Sequence, residues 1–108
     1  MSNPQVAPGE VVTVGPPAAV LPGVATGALV RAPGLDVLRL VVPAGREVAE
    51  HAVTGTLTVH CLEGAVDFTA GGETRRLGAG QLLHLPPGAP HSLHGVADAA
   101  LLVTIFRA

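Results

Sequence analysis

Two of the five histidines in this 108-residue chain, His51 and His91, each follow a turn signal that leads into a strand-like stretch. His91 comes directly after Pro86-Pro87-Gly88-Ala89-Pro90, where fixed φ at proline and free φ at glycine reverse the chain within a few residues. His51 follows the Ala44-Gly45 turn. Imidazole is the side chain most suited to change roles near neutral pH. It ligates a metal through a neutral ring nitrogen, acts as a general base, or holds an anion when protonated. No Ser-His-Asp or Cys-His set stands at a recognisable spacing, and no glycine-rich phosphate loop follows a strand and opens a helix.

The other polar groups have plainer readings. His91, Leu93 and Gly95 share one face of a strand, so His94 points the other way, to the surface or an interface. His84 reads as a buried, hydrogen-bonded histidine. Glu47 and Glu50 belong to a charged connection and read as solvated, although either offers a carboxylate near His51. Glu63, before Gly64, reads as part of a hairpin turn. Cys61 is the only cysteine, which excludes an intrachain disulfide and any multi-cysteine metal site. Its apolar neighbours make it a buried, inert thiol.

The elements that must position these residues are strands. Residues 28–31 and 35–42 flank Ala32-Pro33-Gly34 and read as a hairpin. Further short strands follow at 56–62, 66–69, 73–77, 81–85, 91–96 and 100–106, with another possible at 11–14. The 15–17 and 22–23 prolines and glycines exclude regular structure there. With 14 glycines and 10 prolines, every window long enough for a helix is interrupted. Nine or ten short strands must close or sandwich to remove their edges, so the expected fold is all-β, a small antiparallel barrel or jelly roll. Residues 1–10 are expected as an N-terminal arm and 11–108 as one domain.

Composition removes several classes of partner. The net charge is −2, with six arginines, no lysine, no basic stripe and no tyrosine or tryptophan, which argues against nucleic acid. No apolar span is long enough to cross a membrane as a helix, and residues 1–20 lack a basic start and a continuous apolar core, so the expected location is the cytoplasm. Charged residues make up only 13% of the chain and apolar ones 48%, a balance that points to a homodimer covering apolar surface.

The spacing Gly80-x5-Pro86-x-Gly88-x2-His91 resembles the second motif of the cupin superfamily, with Gly95 where that pattern has asparagine. Gly45-x5-His51 through Gly64 resembles the first motif, and the likeness spans roughly residues 35–105. It implies a double-stranded β-helix of the small single-domain type. It also implies a divalent transition metal (Fe, Ni, Mn or Zn) on the matching residues, His51 and His91. The first motif's second histidine falls on Val53, and its glutamate on Leu57 or, with a longer loop, on Thr58.

A firmly held first-row ion usually has three or more protein ligands, and His60 is the candidate third. Strand alternation sets Leu57, Val59 and Cys61 on one face and Thr58, His60 and Leu62 on the other. The shorter loop turns Leu57 inward and His60 away; a bulge or the longer loop brings His60 in. Fold alone does not choose among cupin chemistries. The expected function is a small-molecule-binding module with at most a weak metal site, its pocket lined by Val53, Leu57 and Leu93. The alternative is a metal-dependent dioxygenase- or lyase-type enzyme with a third ligand.

Overall fold

The computed structural model describes residues 5–14 and 26–108. Among them are seven strands: β1 (Gly27–Ala32), β2 (Leu35–Val42), β3 (Glu47–His51), β4 (Thr56–Ala70), β5 (Glu73–Gly78), β6 (Leu82–Leu85) and β7 (His91–Phe106). Every pairing is antiparallel, and no helix occurs among these residues. The β1–β2 hairpin turns at Pro33-Gly34 as the sequence predicts. The irregular segment expected at residues 15–23 lies outside the described residues.

β4 and β7 are the frame. They pair along nearly their whole length, from Thr56 opposite Phe106 to Ala70 opposite His91. Their middles bend, so each strand serves two sheets. The first half of β4 and the second half of β7 join β6 and β2, with β1 outside β2. The second half of β4 and the first half of β7 join β5 and β3. A jelly roll closes in this way, with strands passing from one sheet to the other at a corner.

The corner corrects the sequence reading, which ends one strand at Glu63-Gly64 and another at 97–99. The ladder instead continues through register shifts between Cys61 and Val66, opposite Ala97–Ala100. Bulges accommodate the extra residues and bend the strand without breaking it. Gly64 has a φ of 74°, and a Cβ there would run into the Asp98 carbonyl. Only glycine tolerates both conditions. Two long strands thus replace four short ones. Residues 11–14 form no strand, and the backbone carbonyls of Thr13 and Val14 accept hydrogen bonds from Arg39.

The interior is aliphatic. Val42, Leu57, Val59, Val66, Leu93 and Leu101 are among the buried residues of one cluster. Each such side chain contributes about 1.5–3 kcal/mol by leaving water.

Candidate functional site

His51 ends β3 and His91 begins β7, and the register of these strands sets the two directly opposite each other. Their rings lie 4.3 Å apart, centroid to centroid, at a tilt of 59°. The proline-rich turn before His91 is fastened where Gly88 N–H donates to the Val53 carbonyl at 2.8 Å. Gly95, four residues further along β7, lets the strand pass the Pro43 carbonyl, where any Cβ would collide. The chain around the two histidines is therefore held by backbone contacts.

Each ring is also fixed by its own Nδ1. His51 Nδ1 lies 2.9 Å from the Ala49 carbonyl and His91 Nδ1 lies 3.0 Å from the Ala89 carbonyl. A carbonyl only accepts, so both Nδ1 atoms donate, and in the neutral rings both Nε2 atoms carry the lone pair. Phe68 stacks on His91, with centroids 5.5 Å apart and planes within 10°. His91 is buried and His51 exposed. Among the described residues no buried side-chain nitrogen or oxygen lacks a partner, so His91 Nε2, which has no partner among them, is open to the space it lines.

That space is a cavity of about 320 Å³ inside the barrel. Val53, Leu57 and Leu93 line it beside the two histidines, with Phe68, Val59 and Arg31. Among the described residues no carboxylate borders it, and no three His, Cys, Asp or Glu side chains come together. The shorter-loop register holds: Leu57, 2% exposed, occupies the inward position. Two imidazoles flanked by Leu57 and Val53 do not fit a firmly held metal ion, which needs further donors.

His60 is not brought to this pair, which corrects its place as third ligand. It is absent from the cavity wall and stands between the buried Val59 and Cys61, opposite Leu82 of β6 and Leu102 of β7. Alternation is unbroken from Thr56 to Cys61, and the bulges begin only beyond it, so nothing rotates His60 inward. His84 is exposed on the same outer face, opposite Thr58, and is not the buried residue expected. His94 donates from Nδ1 to Glu47 at 2.8 Å, on the outside as read. Glu50 is exposed and does not border the cavity.

Cys61 is buried, and its thiol donates to the Glu63 carbonyl at 3.2 Å. Burial pushes this thiol above its ordinary range; the backbone bond opposes the shift and the Glu63 charge adds to it.

Sequence reasoning missed Phe68 and Arg31. Phe68 was legible in principle, since it alternates with Val66 and Ala70 on a strand whose partner carries His91. Arg31 reaches the cavity side because β1 slips by one residue between Ala28 and Val30, a shift that no local pattern announces.

No curated protein matches this chain in sequence. Among solved structures, a Streptococcus pyogenes protein of unknown function superposes with a TM-score of 0.77 at 21% identity, over 100% of this chain and 96% of that one. An RmlC-like cupin from Desulfovibrio desulfuricans gives 0.69 at 26%, covering 76% and 80%. A salicylate 1,2-dioxygenase from Pseudoaminobacter salicylatoxidans gives 0.66 at 27%, over 68% of this chain but only 21% of that one. The cupin domain family matches residues 38–106, well over half the sequence. With that match, the antiparallel barrel and the paired histidines bordering its cavity, the chain belongs to the cupin domain family.

Proposed function

We propose that this cupin is a small-molecule-binding module with at most a weak site for a divalent metal. One observation carries the reading: the interior cavity presents two imidazoles, while Val53 and Leu57 stand where the first motif has its other donors. A cavity of about 320 Å³ is large enough for a compact organic molecule and is walled mainly by aliphatic side chains. Elemental analysis of the isolated protein beside His91→Ala tests the reading. Metal far below one equivalent in both is the expected result. Near-stoichiometric iron, nickel, manganese or zinc that disappears in the variant would overturn it.

The second reading, a metal-dependent enzyme, is favoured by the likeness to the salicylate 1,2-dioxygenase and by two Nε2 atoms unclaimed within the described protein. It requires ligands that the cavity wall does not supply. The proposal includes a homodimer. Strand alternation sets Val37, Val41 and Leu102 on the outer face of the β1–β2–β7–β4–β6 sheet, and Leu82 there is 64% exposed. A sedimentation run at tens of micromolar showing only monomer would remove the dimer.

A further inference from the structure

The two histidines are held in one hydrogen-bonding state by the backbone, and that state selects a ligand. Because His51 Nδ1 and His91 Nδ1 donate to the Ala49 and Ala89 carbonyls, the neutral pair offers acceptors only at Nε2. The ring centroids are 4.3 Å apart, so both acceptors are within reach of one small molecule. A carboxylate brings no donor to them, and the two guanidinium groups of wall residues are engaged elsewhere, Arg31 with Asp36 at 3.6 Å and Arg39 with the Thr13 and Val14 carbonyls. An ammonium group would find no carboxylate on the cavity wall among the described residues, and Arg31 and Arg39 there already carry positive charge. A hydroxyl donates without carrying charge. Beside Thr26, Phe68 and the two arginines, most of the wall, including Leu38, Leu40, Leu57, Val103 and Ile105, is aliphatic and suits a saturated hydrocarbon body.

We propose that the cavity binds a neutral, saturated vicinal diol, whose two hydroxyls donate to Nε2 of His51 and His91 while its hydrocarbon body fills the aliphatic wall. This rests on the ligand-binding reading above and names the chemical class that site takes. Two donors on adjacent carbons match two acceptors on adjacent rings, and an acceptor buried against a blocked hydroxyl loses its hydrogen bond.

The test is calorimetric titration, in buffer containing a chelator, with pinanediol, its monomethyl ether and its dimethyl ether. The expected result is affinity falling about tenfold for each hydroxyl capped, since the acceptor facing it is left without a hydrogen bond. In His51→Ala, an exposed position whose replacement leaves the core intact, one of the two steps should vanish; His91→Ala should remove the other. Equal affinity for the diol and the diether would overturn the diol assignment and leave a cavity that binds by apolar burial. Survival of both steps in His51→Ala would also overturn it, since methyl bulk and not hydrogen bonding would then be read. No binding of any of the three at millimolar concentration would overturn both the assignment and the reading of the cavity as a ligand site.

Discussion

The inner and outer faces of the β4–β7 frame carry the same kinds of residue in opposite circumstances. Inside, His51 and His91 face each other at 4.3 Å, each pinned through Nδ1, above an aliphatic wall. Outside, His60 on β4 and His84 on β6 occupy neighbouring ladder positions, opposite Leu82 and Thr58, and neither borders that cavity. The difference is one of parity along a strand. A side chain one residue out of phase with the buried set is delivered to the other face, and its chemistry goes with it. A count of histidines therefore says little about the site.

The largest way to break this partition is at the corner. Gly64→Val places a side chain in a left-handed backbone against the Asp98 carbonyl and should lower unfolding free energy by about 3 kcal/mol or more, read by urea denaturation. Stability within about 0.5 kcal/mol of the parent would mean that the corner does not hold the two sheets together.

A charge test comes next. Val53→His with Leu57→Glu rebuilds the first-motif donors on the inner face and should destabilise the metal-free protein by about 2–4 kcal/mol, because a carboxyl then replaces a buried leucine. Added nickel or zinc should recover about 2.7 kcal/mol at a hundredfold excess over Kd, seen as a rise in melting temperature that the parent lacks. Thr58→Glu, one residue away on the outer face, should cost no more than about 0.5 kcal/mol.

The histidines themselves give a smaller contrast. His91→Ala loses the stack on Phe68 and the bond to Ala89, and should cost about 1–2 kcal/mol in thermal unfolding. His60→Ala and His84→Ala should stay within about 0.5 kcal/mol. Equal costs for His91→Ala and His60→Ala would erase the distinction between the faces.

The smallest effect belongs to Cys61. Its thiol is held above the usual range by burial, so the folded state keeps the proton when the unfolded state releases it. The contribution to stability is full below the unfolded thiol's pKa, about 8.5, and declines as pH rises from there through the folded value. Denaturation curves at pH 7, 8.5 and 10 should show this decline, and the slope should disappear in Cys61→Ala. In the native state a thiol reagent at pH 8 should leave Cys61 unmodified.

Much of this protein is legible in its sequence. Turn residues and short apolar runs made it all-β, the Pro33-Gly34 hairpin appeared where expected, and the spacing around His51 and His91 resembled the two cupin motifs. Alternation also put Leu57 inward as one of two registers, and the structure chose that one. These features depend on residues close in sequence, where backbone sterics and period-two patterning act directly.

Tertiary structure decided the rest. Glu63-Gly64 resembles a strand end locally, but its partner across the ladder, Asp98, turns it into a bulge inside a longer strand. Arg31 reaches the cavity through a one-residue slip against β2, and Phe68 stacks on His91 through the pairing of β4 with β7. His84 is exposed because its side chain alternates away from the inner face that Leu83 and Leu85 pack against. Each outcome depends on which distant strand supplies the missing hydrogen bonds and side-chain contacts. Local propensity carries no record of that choice; it is settled only when non-local strand pairing closes the barrel and buries one face of every strand.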